Sequence, residues 1–178
     1  MDRRLEGKVA IVTGAGQTPG YTIGNGRAIS ILYARHGAKV MLVDKDLESA
    51  QETQAMITEE GGDSFAFSAD VTCAADCQRM ADECVARYSR IDILVNNVGT
   101  AESKTGPIEL DEESWDRIFN VNLKSVFLTC KYALQYMEQQ RSGAVINISS
   151  IAAIAATPLI AYRTSKAGVN ALTHSLGF

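Results

Sequence analysis

The chain has 178 residues, 21 of them acidic and 17 basic, for a net charge of −4. At 46% hydrophobic and 21% charged it has the make-up of an ordinary folded protein and not of a disordered, collagen-like or coiled-coil one. Its Lys and Arg are scattered and form no basic stripe, which argues against nucleic acid as a partner.

Lys8 to Thr13 (KVAIVT), rich in β-branched residues, reads as a first strand that closes on a glycine-laden turn. A helix over Arg27 to His36 follows and ends at Gly37, where a left-handed residue is expected. A second strand, Lys39 to Val43 (KVMLV), leads into a helix over Leu47 to Glu60 stopped by Gly61-Gly62, and Ser64 to Ser68 is a short third strand. Asp76 to Tyr88 reads as helix, and Asp92 to Val95 (DILV) as a fourth strand running into Asn96-Asn97-Val98-Gly99. Asp111 to Gln140 is one long predicted helix, Ala144 to Ile148 (AVINI) a fifth strand, and a last helix begins near Ala161. The one long loop expected is Thr100 to Leu110, with Gly106-Pro107 inside it. Strands that alternate with amphipathic helices mark βαβ units, hence an α/β fold around a parallel sheet. A single domain over 1–178 suits the length.

The most apolar stretch, 151–161, is too short to span a bilayer and is broken by Thr157 and Pro158. The opening Met1-Asp2-Arg3-Arg4-Leu5-Glu6 has no apolar signal-peptide core, so no membrane attachment and a cytoplasmic location are expected. In that compartment Cys73, Cys77, Cys84 and Cys130 are reduced, and the first three, at near-helical spacing with no His nearby, read as core and not as a metal site. No metal is expected. His36 and His174 read as structural, and Trp115, Phe119 and Phe127 as packing.

The turn after the first strand, Thr13-Gly14-Ala15-Gly16 through Gly24-Asn25-Gly26-Arg27, has the make-up of a phosphate cradle. Glycine permits a tight bend and a close anion, and the next helix presents unpaired N–H groups at its positive end. Asp44 ends the second strand about 20 residues beyond Gly24, where a carboxylate accepts hydrogen bonds from ribose hydroxyls and repels an added phosphate. Its rival role, capping the next helix, is one that Asp46 can fill, and Lys45 beside it leaves room for NADP.

Tyr162 and Lys166 stand four apart, on one face of the last helix. A cation near a phenol favours phenolate and makes the phenol usable as a general acid or base. Ser150, twelve residues before Tyr162, falls at the end of the fifth strand, on the edge where open parallel sheets bind ligands.

These features, with Asp70-Val71, Asn96-Asn97-Val98-Gly99, Asn120-Val121-Asn122-Leu123 and Asn147-Ile148-Ser149-Ser150, occur in the order and approximate spacing of the short-chain dehydrogenase/reductase family, which the sequence resembles along essentially its whole length. The resemblance implies a Rossmann-type doubly wound parallel sheet with helices on both faces. It implies hydride transfer between NAD, with NADP the second choice, and a small-molecule secondary alcohol or ketone. By the same resemblance Tyr162 is the acid/base, Lys166 tunes it and binds the nicotinamide ribose, Ser150 orients the substrate oxygen, with Ser149 the adjacent alternative, and Asn122 holds a water linked to Lys166. Gly14, Asn25, Gly26, Asp44, Asp70, Val71, Asn97 and Gly99, together with Tyr162 and Lys166, are the implied cofactor contacts, whereas Asn96 and Asn120 are structural. The alternatives are an NADPH-dependent 3-oxoacyl thioester reductase and a non-catalytic NAD(H)-binding protein.

Two departures stand out. The family's Thr-Gly-x-x-x-Gly-x-Gly separates its first two glycines by four positions, whereas Gly14 and Gly24 are ten apart, an insert of about six residues over roughly Gln17 to Thr22. Family members are also commonly longer, so the chain reads as C-terminally truncated, with the last strands missing. Poor activity and aggregation of this chain alone are therefore expected, and homo-oligomers are expected for a full-length form.

Overall fold

A computed structural model describes residues 3–17, 20, 22–102 and 106–177. Among the described residues five strands are formed, β1 (Val9–Thr13), β2 (Lys39–Asp44), β3 (Ser64–Ser68), β4 (Ile93–Asn96) and β5 (Ala144–Asn147). Six α-helices connect and follow them: α1 (Asn25–Arg35), α2 (Leu47–Glu59), α3 (Ala74–Tyr88), α4 (Glu112–Phe119), α5 (Ser125–Gln140) and α6 (Ile160–Leu176). The sheet order is β3-β2-β1-β4-β5 and every pairing is parallel.

Parallel strands covered on both faces need apolar side chains pointing both ways. The central strands supply them: all of β1 is buried, as are Val40 to Val43 of β2 and Leu94 to Asn96 of β4. Val9, Ile11, Met41, Val43 and Leu94 pack against α3, α5 and α6 in one core. Val12, Val40, Leu42 and Val95 pack against α1 and α2 in the other. The sheet is thus wound on both sides, and the chain turns from one side to the other at β1, opening a crevice beyond the ends of β1 and β4.

Several expectations are corrected. Helix α1 starts at Asn25 and ends at Arg35, with Gly37 in the expected left-handed conformation at φ 93°. The predicted helix over Asp111 to Gln140 is not uniform. Asp111 caps α4, a single π-helical turn occupies Asn120–Lys124, and α5 follows. Cys77, Cys84 and Cys130 are core residues, but Cys73 sits exposed at the start of α3. Of the insert over 17–22, Thr18, Pro19 and Tyr21 lie outside the described residues, as do 103–105 of the loop over 100–110.

Candidate active site

At the end of β1 the chain turns through Gly14, whose φ of 65° lies in the left-handed region that glycine tolerates. The first turn of α1 then packs so closely on this bend that a Cβ at Gly26 would lie 1.8 Å from the Gly14 carbonyl oxygen. Asn97 locks the bend from β4: its side-chain N–H groups donate to the carbonyls of Thr13 (3.2 Å) and Gly14 (3.1 Å). Helix α2 braces it from the other side. Ser49 Oγ accepts from Gln17 N (2.7 Å), Thr53 Oγ1 donates to Ala15 O (2.8 Å), and the buried Arg27 guanidinium donates to Thr53 Oγ1 and Glu52.

Gln17 joins the two ends of the insert. Its carboxamide oxygen accepts from Gly24 N at the head of α1 (2.7 Å), and its amide donates to Thr22 O (3.0 Å). Asn25 is exposed at the first position of α1. Asp44 reaches into the same bend, with Oδ2 accepting from Gly16 N (2.9 Å) and Oδ1 from Asp46 N (3.1 Å). Asp46, and not Asp44, caps α2 through Ser49 N. Beyond β3, the exposed Asp70 carboxylate accepts from the Thr72 hydroxyl and N–H, and these bonds outweigh a smaller cost of desolvation and hold its pKa below the usual carboxylate value. Val71 beside it is buried.

At the ends of β4 and β5 the second group of residues meets. Lys166 is 4% exposed; its Nζ donates to Ile148 O (2.7 Å) and lies 5.9 Å from the Tyr162 ring centroid. Burial draws the lysine pKa below its ordinary value. Gly99 leaves room for this ammonium, since a Cβ there would lie 3.3 Å from Nζ and 3.5 Å from Asn122 Oδ1. The two adjacent serines differ. Ser149 Oγ donates to Lys166 O (3.3 Å), whereas Ser150 Oγ accepts from Ala152 N (3.1 Å) at the head of a short 3-10 turn and keeps its proton to donate.

Asn122, fully buried in the π turn, grips Thr100 by both backbone groups, accepting from its N–H (2.7 Å) and donating to its carbonyl (2.8 Å). Its second amide proton goes to Ser165 Oγ (3.0 Å), so the side chain meets a water only through the remaining lone pair of Oδ1. Asn96 is structural, as expected, bridging Asn147 (2.8 Å) and Thr129 (2.6 Å).

Ser165, Ser49 and Thr53 support the site without any motif that marks them, and so does one buried acid. Glu102 is buried, and its carboxylate accepts from Ala161 N (2.9 Å) and Tyr162 N (3.0 Å), across 59 and 60 positions of chain. No local pattern announces a contact over that separation.

Among the described residues no three His, Cys, Asp or Glu side chains gather as a metal site, and no helix is long and apolar enough to cross a membrane.

A glycine bend at the reversal of a doubly wound parallel sheet, with an acidic residue ending β2, defines a Rossmann-type α/β protein. The sequence profile of the short chain dehydrogenase family matches residues 8–178, and the chain belongs to that family of oxidoreductases, whose members bind nicotinamide cofactors. It is 39% identical to a D-threitol dehydrogenase of Mycolicibacterium smegmatis over 169 residues, 94% of this chain and 62% of that protein. It is 35% identical to a 3-oxoacyl-acyl-carrier-protein reductase of Thermotoga maritima, over 96% of this chain and 67% of the relative. A crystal structure of a 7α-hydroxysteroid dehydrogenase with NADH and 7-oxo glycochenodeoxycholic acid superposes with a TM-score of 0.86 at 31% identity, covering 96% of this chain and 64% of the other. The chain thus spans less than two thirds of the length of the threitol dehydrogenase.

Proposed function

We propose that this chain, one domain over 1–178, carries the cofactor cradle and proton-transfer residues of an NAD-dependent oxidoreductase acting on a secondary alcohol or the corresponding ketone. The cradle fits such a cofactor, because Gly14 and Gly26 let the bend and the head of α1 close on each other as no side chain would permit, the tight strand-to-helix turn that a pyrophosphate needs. Asn25 and Gly26 open the helix whose free N–H groups face the pyrophosphate, Asp44 binds the ribose hydroxyls, and Asp70 and Val71 meet the adenine. Asn97 acts by fixing the Gly14 carbonyl. A bound nicotinamide supplies or accepts the hydride.

In oxidation Tyr162 takes the proton from the alcohol oxygen, and in reduction it gives that proton back. The Lys166 ammonium, fixed on Ile148 O, sits 5.9 Å from the centre of the Tyr162 ring, on the same face of α6. Ser150 donates to the substrate oxygen. Its partner Ser149 is turned onto α6, which favours Ser150 for this role. Asn122 holds the Thr100 segment and contacts a water through Oδ1. The carrying observation is the buried Lys166 ammonium aimed at the strand ends beside Tyr162.

NADPH-dependent 3-oxoacyl thioester reduction is the second reading, favoured by the Thermotoga maritima relative and by Lys45 next to Asp44. Fluorescence titration with NADH and NADPH separates the two, tighter NADH binding being the expected result. Tyr162→Phe then tests the chemistry on a panel of secondary alcohols. Turnover should fall by about 10²- to 10⁴-fold with NADH affinity unchanged. Cofactor binding by a wild-type chain that turns over no alcohol, ketone or 3-oxoacyl thioester would instead mark a non-catalytic NAD(H)-binding protein.

A further inference from the structure

Tyr162 is held by its backbone as well as by its helix. Its N–H donates to Glu102 Oε2 (3.0 Å), and its carbonyl accepts from Ser165 Oγ (2.7 Å). Ser165 Oγ in turn accepts from Asn122 Nδ2 (3.0 Å), and Asn122 grips Thr100, two residues before Glu102. The bonds close a ring that runs from Thr100 through Asn122, Ser165 and Tyr162 to Glu102 and back along the chain. Glu102, Asn122 and Ser165 are all buried, so water competes poorly for any of these bonds.

From this ring we infer that Glu102 is a positioning residue for Tyr162, fixing the first turn of α6 against the segment that follows β4. The inference rests on the role proposed for Tyr162. A helix start leaves its first N–H groups without intrahelical partners, and α6 has no side-chain cap of its own at Leu159. Glu102 supplies the missing acceptor from a different element. Its two oxygens receive two successive N–H groups, Ala161 on Oε1 and Tyr162 on Oε2, which fixes the rotation of the turn as well as its position. The phenol projects from that turn. A second tie, Gly106 N to Pro158 O (3.1 Å), holds the far arm of the same loop to the segment leading into α6. Thr100, Glu102 and Gly106 are therefore each tied to α6 or to the segment that leads into it, and Glu102 makes the tie to the turn that bears Tyr162.

The test uses Glu102→Gln, which keeps the shape but can turn a donor toward the N–H pair, and Glu102→Asp, which keeps the charge one methylene short. Hydrogen exchange of the Ala161 and Tyr162 amides reads the tie directly and needs no substrate. Steady-state kinetics with whichever secondary alcohol the wild-type chain oxidises reads its consequence. Glu102→Gln should raise exchange at those two amides and lower kcat by roughly tenfold to hundredfold, while NADH affinity stays within twofold. Glu102→Asp should recover part of both effects. Unchanged exchange, or unchanged kcat in the face of faster exchange, overturns the inference. Loss of NADH binding in parallel with kcat also overturns it, since that is the mark of general unfolding. A wild-type chain that binds NADH and oxidises nothing defeats the oxidoreductase reading, and the tie is then decided by exchange alone.

Discussion

Asp92 is buried at the foot of the sheet and yet ionised, because three partners answer its charge. Val9 N donates to Oδ2 (2.9 Å), the Arg90 fork takes both oxygens (2.7 and 2.6 Å), and Lys8 stands 3.6 Å away. Burial pushes its carboxyl up, but the Arg90 and Val9 bonds and the charges of Arg90 and Lys8 together carry it below the usual carboxylate value. A depressed folded value means that its contribution to stability is complete above the unfolded pKa near 3.9 and disappears as pH falls through the folded value. Asp92→Asn keeps an acceptor for Val9 and gives up the ion pair, so it should cost about 2 kcal/mol near neutral pH. Urea unfolding at pH 7 and at pH 3 checks this, with the gap between variant and wild type narrowing at the lower pH. The thiols follow the same logic with the opposite sign. Burial pushes Cys77 and Cys84 up to about 12 and Cys130 to about 11, whereas Cys73 is exposed. An aromatic disulfide reagent at pH 8 should therefore titrate one thiol in the native chain and four after denaturation. More than one fast native thiol would contradict the burial.

Elements whose purpose is packing were readable from their own residues. KVAIVT, KVMLV and DILV are apolar on both faces and became the buried strands β1, β2 and β4 within a residue or so of the expected ends. Gly37 stopped α1 as its conformation requires. The π turn at Asn120–Lys124 was not readable, because Asn-Val-Asn-Leu-Lys fits a regular helix equally well. What selects the wider turn is tertiary: Asn122 must face Thr100 and Ser165 together. Glu102 was hidden for the same reason, its partners lying on α6. In the turn between β1 and α1, by contrast, the glycines were visible although the insert blurred their register. Gly26 is the position where the structure leaves no choice, since a Cβ would meet the Gly14 carbonyl at 1.8 Å. Gly26→Ala must open the bend, and NADH affinity measured by fluorescence should fall by about a hundredfold. An affinity within threefold of wild type would show that the cradle does not hold the cofactor.

Across the whole molecule the two edges of the sheet are treated differently. Along β3 the edge is dressed with cations over rings, Arg79 over Phe67 (5.3 Å) and Arg87 over Phe65 (4.6 Å), and charged side chains of this kind discourage strand pairing. Strand β5 pairs only with β4 among the described residues. Val145 packs into the core shared with α3, α5 and α6, so Ile146 projects to the opposite face of the sheet, where it is 40% exposed. Ile151 and Ile154, just beyond the strand, are 72% and 75% exposed. A strand edge left open among the described residues, with isoleucines around it, is a template for another chain. Sedimentation velocity should show the 178-residue chain associating as its concentration rises. Ile146→Lys puts a charge on the open face, two strands away from the glycine bend on β1, and should keep the chain monomeric with NADH affinity unchanged. A wild-type chain that stays monomeric at every concentration would show that the β5 edge is not a template, and association that Ile146→Lys leaves untouched would place the sticky surface elsewhere. The other candidate is the groove between α4–α5 and α6, where Leu123, Leu172 and the half-exposed Phe127 line an open concavity of about 1370 Å³. Phe127→Lys separates the two surfaces, because it alters the helical face and leaves the β5 edge as it was.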